Sequence, residues 1–379
     1  MTEMEKYLKK SLLFQMSLGS KELFHSNVWA WLIEMDKNFI SVFFNDFDIA
    51  EYNSISVSRE AHNRDIIIWL TDKTNQECYF VIENKIKSLP SVGQLEKYSE
   101  DLENCELKMA VFTGIINPFG SDAVEISGKR RITWSFVSYR KIADRIRALL
   151  IRSTKLSEGD IAIAYEYCKI VNYLNDILYE KIDQNANKLI YDNAEELKDL
   201  RIYDIYAKMR GAKFMQYVES RREEFADLSD RGFKLVLAQS FHNGSATLDI
   251  RYSNWKEGCA SWFLLGIQIE EYQYRFVAEC NNENYGGGKS FDELYDEMIA
   301  CGWLDGTYAG RGDMVFGKPT RMNPRKGKKY NSYKNKDNSM SFIYQYYDLG
   351  GDDTYFETLF ETIKEHMSRA AAIICNKNS

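Results

Sequence analysis

The chain has 379 residues and a net charge of −7, with 45% hydrophobic residues, 28% charged residues and only four prolines. This composition excludes extensive disorder, and an acidic chain is not expected to bind nucleic acid by phosphate neutralisation alone. No apolar stretch reaches the roughly 20 residues of a membrane helix, and the N-terminus lacks the apolar segment of a secretory signal. Seven scattered cysteines and four scattered histidines predict free thiols and no His-based metal centre. We therefore expect a cytoplasmic protein without a membrane segment.

The first half of the chain predicts a small mixed sheet with helices on its faces. In chain order we expect a helix around Met4–Leu12, a helix over 21–35, strands at Ile55–Val57, Asp65–Leu70 and Tyr79–Ile82, a helix over 93–103, a strand over 107–115, and a strand running into a helix over 131–150. The resulting α-β-β-β-α-β order is typical of α/β (α+β) proteins with a mixed central sheet.

The second half of the chain predicts a different architecture. A helical stripe runs from Asp160 to Ile182, and polar helices follow to about Asp227. Apolar and polar residues then alternate over 245–252, 271–279 and 339–347, as in antiparallel strands with one wet face. Helices are expected at Phe291–Ala300 and Tyr355–Ile374. We therefore expect a first domain over 1–182, a helical connector over 183–230 and a C-terminal antiparallel α+β domain over 231–379 that binds nucleic acid or a partner.

Charged side chains stand at the ends of the two most apolar strands. Asp65 precedes Ile66–Leu70, and Glu83 and Lys85 follow Tyr79–Ile82. Unpaired charge is costly in such surroundings. If the two strands form a hairpin, Asp65 and Glu83 lie about 5 Å apart as strand partners and can share a cation. Mg²⁺ suits this arrangement, because it takes few protein oxygens and leaves room for a substrate phosphate.

The segment Glu83-Asn84-Lys85 combines two chemical roles. Because side chains alternate along a strand, Glu83 and Lys85 point to one face and Asn84 to the other. Lys85 can orient an attacking water or balance charge on a phosphate in the transition state. The backbone carbonyl of Asn84 is a further candidate metal ligand.

These residues, Asp65 followed by Glu83-Asn84-Lys85 in the spacing D-x17-E-N-K, resemble the PD-(D/E)XK nuclease superfamily. The α-β-β-β-α-β order matches the core of that superfamily. Arg64 stands where the superfamily often has proline.

Two neighbouring helices extend the resemblance, which covers about residues 18–150. Gln94 and Tyr98 form a Q-x-x-x-Y pattern on one helix face, as in the branch that includes recombination-type exonucleases. Glu22 with His25-Ser26 resembles the N-terminal helix of a bacterial subgroup with an E..HS opening, whose glutamate commonly joins the metal site. His25 itself is interpreted as a local hydrogen-bonding residue.

The resemblance implies a restriction-endonuclease-like core and a metal-dependent phosphodiesterase. It implies Mg²⁺ or Mn²⁺ as cofactor, DNA rather than RNA as the favoured substrate, and a 5′-phosphate product. The residues implied are the metal ligands Glu22, Asp65, Glu83 and Asn84, the catalytic residues Asp65, Glu83, Lys85 and Gln94, and the substrate-binding Tyr98.

Alternatives remain open for both the site and the function. Asp65 and Glu83 can instead form a structural ion-pair cluster with Arg64 and Lys85, which predicts a direct Lys85–Glu83 bond. The protein can also be a nuclease-fold module that binds nucleic acid or a partner without cleaving it. A third hypothesis is an RNA-directed nuclease of a toxin or phage-defence system.

Two further segments carry candidate phosphate chemistry. The basic stretch 317–336 contains no acidic residue. It offers Arg325, Lys326, Lys328 and Lys329 for substrate phosphates, with Tyr330 and Tyr333 available to stack on bases. The alternative for this stretch is a solvated loop.

The GGGKS stretch ending at Ser290 looks like a phosphate-binding loop. However, Glu283 occupies the position of the first P-loop glycine. Ser290 and Glu293 form an S-x-x-E capping box, which explains the helix start without a nucleotide.

Overall fold

The structure is a computed structural model. It describes residues 2–19, 21–86, 89–90, 92–100, 102, 105–127, 131–184, 187–189, 195–242, 245–254, 263–280, 290–305, 314–316, 318–319, 330–334 and 341–377. None of the helices in these ranges combines the length and the apolarity that a membrane crossing requires. The cysteines described as free thiols are Cys78, Cys105, Cys168, Cys301 and Cys375.

The chain forms two compact units, and each is described separately. The first consists of Met1–Gln184 with Ala194–Met209, and the second of Asn185–Asn193 with Arg210–Ser379. The expected connector over 183–230 is thus divided between the units. The three-part domain division stays a prediction.

The first unit is a six-stranded mixed sheet flanked by helices. Its strands are β1 (Tyr52–Ala61), β2 (Arg64–Asp72), β3 (Glu77–Asn84), β4 (Glu106–Gly114), β5 (Ala123–Ser127) and β6 (Arg131–Ser138), in the order β1-β2-β3-β4-β6-β5. Strand β3 pairs with β4, and β4 with β6, in parallel; the other pairs are antiparallel. The carboxyl ends of β3, β4 and β6 therefore meet at one edge of the sheet.

The helices of the first unit begin and end close to the predicted positions in most cases. They are α1 (Glu3–Lys10), α2 (Leu12–Ser17), α3 (Lys21–Met35), α4 (Val92–Tyr98), α5 (Tyr139–Leu150), α6 (Glu158–Gln184) and α7 (Glu195–Asp199), while α8 (Tyr203–Glu219) crosses the unit boundary. Helices α5 and α3 lie beside the sheet, and buried aromatic residues such as Trp29 and Tyr139 pack between them at a ring distance of 5.3 Å.

Three local predictions for the first unit were wrong. The single helix expected around Met4–Leu12 is broken at Ser11, which ends α1 and caps α2 by accepting a hydrogen bond from Phe14 N. Helix α4 ends at Tyr98, and the next residue, Ser99, donates from its hydroxyl to the Leu95 carbonyl at 2.7 Å and accepts from the Trp134 indole at 2.9 Å. Strand β5 was not predicted, since Ile126 is its only fully buried residue and gives no clear period.

The second unit is a six-stranded antiparallel sheet with helices packed against it. Its elements are β7 (Phe233–His242), β8 (Ser245–Asn254), β9 (Phe263–Glu270), β10 (Gln273–Cys280), α9 (Phe291–Ala300), β11 (Met314–Val315), β12 (Lys318–Pro319), β13 (Asn331–Lys334), β14 (Ser341–Asp348) and α10 (Phe356–Lys377), with sheet order β13-β14-β10-β9-β8-β7 and a separate β11–β12 pair. The sequence did not predict β7, β9 or β13. Strand β9 is buried along almost its whole length, so it shows a continuous apolar run and no alternation.

The fold class expected from the sequence is confirmed. A mixed sheet flanked by helices is followed by an antiparallel α+β unit. The core of the second unit lies between its sheet and the helices α9 and α10.

Candidate active site

The β2–β3 hairpin brings two carboxylates together at the edge of the first sheet. At the end of this hairpin Ile66 lies opposite Ile82, and both side chains are fully buried. One position further, the same register places Asp65 opposite Glu83. The structure therefore brings together the two acids that the sequence pattern selected.

Glu83 has two oxygens in different surroundings. Its side chain is 2% exposed, and Oε1 accepts from Lys85 Nζ at 2.7 Å and from Gln94 Nε2 at 3.1 Å. The other oxygen, Oε2, is buried and makes no hydrogen bond of good geometry in the described part of the chain, although the Asp65 N–H and the Asp65 carboxyl group both lie beside the Glu83 carboxylate. A buried carboxylate oxygen without a donor is rare and costly, so its presence indicates a missing positive partner.

The electrostatics of the site disfavour two ionised acids without a further cation. Burial, and then the charge of Asp65, raise the pKa of Glu83 to about 8. Burial also raises the pKa of Asp65, although Asn84 N–H donates to its Oδ2 at 2.7 Å and the Lys85 charge opposes the shift. Burial lowers the pKa of Lys85, but the charges of Glu83, Asp65 and Glu22 outweigh it and raise that pKa. Lys85 is therefore an ammonium that balances only part of the negative charge.

Asn84 connects the carboxylate edge to helix α3. Its side chain is fully buried, and Nδ2 donates to the Glu22 carbonyl at 2.7 Å and to Ser26 Oγ at 2.9 Å. Its Oδ1 accepts from Tyr139 at 2.5 Å and from Thr113 at 3.3 Å. The E..HS segment thus contacts the E-N-K segment directly.

This asparagine network includes residues that the sequence did not predict. Thr113 lies in β4, and Tyr139 follows the last residue of β6. Their positions at strand ends could have predicted both residues, because side chains at the carboxyl ends of adjacent parallel strands meet at one edge of the sheet. His25 is buried in the same region, its Nδ1 lies 3.0 Å from the Tyr167 hydroxyl, and burial lowers its pKa to about 3. This geometry fits a neutral hydrogen-bonding residue.

Helix α4 places the Q-x-x-x-Y pair beside the acids. Gln94 Nε2 donates to Glu83 and, at 3.1 Å, to the Tyr98 hydroxyl. The sequence suggested that Gln94 holds substrate or the lysine, and the contact with Glu83 was not predicted.

The phosphate-binding and base-stacking residues predicted in the basic stretch 317–336 lie only partly within the described residues. Arg325, Lys326, Lys328 and Lys329 lie outside the described residues. The ring of Tyr330 packs 5.3 Å from Tyr295, and that of Tyr333 stacks 5.4 Å from Phe342, so both tyrosines contact aromatic residues of the protein itself.

The capping interpretation of the GGGKS stretch is confirmed. Ser290 caps α9, and its hydrogen bonds with Glu293 form the expected box.

The donor set fits a divalent cation that needs few protein ligands. Within the described ranges, no group of three or more His, Cys, Asp or Glu side chains forms a ready-made metal centre. Asp65 and Glu83 still offer two opposed carboxylates with one buried oxygen unpartnered. Mg²⁺ and Mn²⁺ accept such oxygen ligands, and Mg²⁺ keeps several waters.

Comparison with known proteins agrees with this geometry. A family model described as the PD-(D/E)XK nuclease superfamily matches residues 12–169. Residues 12–169 are a PD-(D/E)XK nuclease superfamily domain. No curated protein and no solved structure matches the chain significantly. Since the superfamily consists mainly of nucleases, its fold here suggests a nuclease and a nucleic acid substrate.

The structure agrees with the structural ion-pair alternative in one contact and disagrees with it in another. The Lys85–Glu83 bond that this alternative predicts is present. Arg64, however, donates to the backbone carbonyls of His62, Tyr98 and Glu100. One lysine then faces the charges of Asp65, Glu83 and Glu22, which leaves the cluster with excess negative charge.

Proposed function

We propose that the protein is a metal-dependent nuclease that hydrolyses phosphodiester bonds, with DNA as the favoured substrate. The observation that carries the proposal is the unpartnered, buried Glu83 Oε2 opposite Asp65. The superfamily match to residues 12–169 supports it independently.

The proposed site uses Asp65, Glu83, the Asn84 carbonyl and Glu22 to hold Mg²⁺ or Mn²⁺. The Asn84 N–H faces Asp65, and the N–H and C=O of one strand residue point to the same side, so the carbonyl is directed toward the same strand. The bound ion supplies positive charge to the phosphate and lowers the pKa of water.

The other residues act through contacts of their own. Lys85 can donate a hydrogen bond to a water or to a phosphate oxygen, because three neighbouring acids stabilise its ammonium form. Gln94 and Lys85 together occupy Glu83 Oε1, so that Oε2 stays available. Water attacks phosphorus in line, the bond from phosphorus to the 3′ oxygen breaks, and the 3′ oxygen leaves as a hydroxyl, which gives the 5′-phosphate product that the superfamily resemblance implies.

Cleavage assays with matched variants test this function. Linear, circular and single-stranded DNA and RNA are incubated with Mg²⁺, Mn²⁺ or EDTA. We expect cleavage by the wild type with either ion, and losses of about 10³-fold or more in Asp65→Ala and Lys85→Ala. The matched controls are Asp72→Ala and Lys108→Ala, since these residues form an ion pair at the opposite end of the sheet. Equal rates in all five proteins would exclude the mechanism.

A second candidate is a nuclease-fold protein that binds nucleic acid or a partner without cleaving; in it the direct Lys85–Glu83 contact would be a structural ion pair. This candidate predicts binding that persists in EDTA, with no cleavage under either metal ion. Cleavage of RNA alone would instead select an RNA-directed nuclease.

A further inference from the structure

Arg64 is a buried cation with an unusual set of partners. Arg64 precedes Asp65 at the start of β2, and it is 4% exposed. Nε and Nη2 donate to the Tyr98 carbonyl at 3.3 and 3.0 Å, Nη2 also donates to the Glu100 carbonyl at 3.0 Å, and Nη1 donates to the His62 carbonyl at 3.2 Å. The guanidinium also lies 5.6 Å from the centre of the Tyr98 ring.

These contacts join the β2–β3 hairpin to the end of α4. The carbonyls at a helix C-terminus lack intrahelical donors and carry partial negative charge, which a cation stabilises. The acceptors Tyr98 O and Glu100 O lie at and just beyond the last residue of α4. A guanidinium can reach several carbonyls at once because its five donors spread over a rigid plane.

The same helix carries the residue that holds Glu83. Gln94 lies one turn before Tyr98 and donates to Glu83 Oε1. Arg64 is bonded to the end of α4 and is covalently joined to Asp65, which is the strand partner of Glu83. Arg64 and α4 therefore link the two carboxylates of the site: Arg64 adjoins Asp65, and Gln94 of α4 donates to Glu83.

We propose that Arg64 is a positioning residue that holds α4 against the carboxylate edge, so that Gln94 stays on Glu83 Oε1. Its effect on cleavage rests on the nuclease function proposed above. A proline at this position, as the superfamily often has, cannot donate to any of the three carbonyls.

Two other contacts hold the same helix end to different strands. Tyr79 donates to the Glu100 carbonyl at 2.7 Å, and the Trp134 indole donates to Ser99 Oγ at 2.9 Å. These residues belong to β3 and β6, whereas Arg64 contacts the helix from the strand that carries Asp65. Loss of the guanidinium is therefore expected to loosen α4 locally without unfolding the domain.

Hydrogen exchange tests the structural part of the proposal without any need for catalysis. Arg64→Lys keeps the charge but not the planar set of donors. We expect the amides of α4 and Ser99, whose N–H bonds to the Leu95 carbonyl at 2.9 Å, to exchange about tenfold faster. The amide of Lys85, bonded to the Thr113 carbonyl at 3.1 Å, should not change.

The matched control is Arg131→Lys, at the exposed start of β6 and at the opposite end of the sheet. It should leave exchange unchanged at all these amides. Unchanged exchange in α4 of Arg64→Lys, or uniform acceleration along the whole domain, would overturn the proposal.

A double-mutant comparison tests whether Arg64 acts through Gln94. For an active enzyme we expect Arg64→Lys to lower kcat/KM about tenfold and to leave Mn²⁺ affinity within about twofold. The double variant Arg64→Lys/Gln94→Ala should be no slower than Gln94→Ala alone. Additive losses would show that Arg64 does not act through Gln94.

The two proposals fail in distinguishable ways. A wild type without nuclease activity removes the hydrolytic function, but the exchange result still decides the role of Arg64. If Arg64→Lys does not fold, Arg64→Gln is measured in the same way, because its amide keeps a planar donor. Failure of both variants to fold would overturn positioning in favour of a global structural role.

Discussion

Both sheets of this protein bury charged side chains, but they arrange them differently. In the antiparallel sheet, Arg251 pairs with Glu279 at 2.5 Å, and Arg275 pairs with Glu270 across neighbouring strands. In the mixed sheet, Glu83 also has a lysine partner, yet one of its buried oxygens has none among the described residues. In the first arrangement each acid has an arginine partner, although Arg251 and Glu279 lie two strands apart and Arg251 Nε has no hydrogen-bond partner among the described residues. The second is incomplete without a further cation.

A raised pKa does not separate the two regions. Burial raises the pKa of Asp249 and Glu279 in the antiparallel sheet, as it does for Glu83. Asp249, however, accepts from Gln268 at 2.9 Å, and Glu279 has its arginine. The difference that indicates function is therefore an unpartnered oxygen at a strand end, and not burial of an acid by itself.

The largest expected effect is the loss of cleavage when Glu83 of the mixed sheet is neutralised. The same change to an acid of the antiparallel sheet serves as the comparison. Glu83→Gln keeps the shape of the side chain but removes the charge that a divalent ion requires, so we expect the rate to fall about 10³-fold or more. Glu270→Gln makes the same chemical change in the antiparallel sheet and should leave the rate within about twofold. Initial rates on linear DNA with Mg²⁺ measure both. A similar loss in the two variants would remove the distinction between the sheets.

Cation affinity should depend on pH because Glu83 must lose a proton to bind the ion. Its pKa without metal is raised to about 8. Well below that value each pH unit should weaken binding about tenfold; since Glu83 is half protonated at pH 8, affinity at pH 6 should be about 50-fold lower than at pH 8. Calorimetric titration with Mn²⁺ in buffers of different ionisation enthalpy measures the affinity and the released proton. A pH-independent affinity would contradict the raised pKa.

The same pair of variants should change stability in opposite directions in EDTA. The folded-state pKa of Glu83 lies above that of an unfolded glutamate, about 4.5. Its contribution is therefore neutral at low pH and increasingly destabilising as the pH rises from 4.5 to 8. At pH 8, Glu83→Gln should raise the free energy of unfolding by about 2 kcal/mol. Glu270→Gln should lower it by about 1 kcal/mol, because Arg275 loses a carboxylate partner while Gln268 and Gln273 still accept from it. Urea denaturation at pH 5 and pH 8 measures both, and Glu83→Gln should have little effect at pH 5.

Much of this site could be predicted from the sequence because its residues are close along the chain. Asp65 lies at the start of one strand and Glu83 at the end of the next, so a hairpin alone brings them together. Gln94 and Tyr98 are one helical turn apart, which places them on one face. Such short-range relations depend on the periods of strands and helices and not on the tertiary fold.

The parts that escaped prediction depend on long-range packing. Tyr139 reaches Asn84 only because β6 lies next to β4, and β4 next to β3, in parallel. Only the ion-pair alternative gave Arg64 partners, namely the acids beside it, since nothing local places the α4 carbonyls within its reach. Strand β9 was missed because burial on both faces removes the alternation that marks a strand.

The smallest expected effect compares two buried tyrosines whose hydroxyls each form a hydrogen bond with a buried side chain. Tyr139 donates to Asn84 in the PD-(D/E)XK domain, and the Tyr274 hydroxyl lies 2.8 Å from His366 Nδ1 in the second unit. Removing either hydroxyl by substitution with phenylalanine should lower the free energy of unfolding by about 1 kcal/mol. The stability cost alone therefore cannot reveal which tyrosine serves the site.

Cation binding should separate the two variants. Asn84 N–H donates to Asp65, so a less restrained Asn84 should loosen the ligand set. We expect Tyr139→Phe to weaken Mn²⁺ binding about threefold, a small effect because Thr113 still donates to Asn84 Oδ1. Tyr274→Phe should bind Mn²⁺ as the wild type does. Identical affinities in the two variants would mean that the Asn84 network only packs α3 against the sheet and does not orient the carboxylate edge.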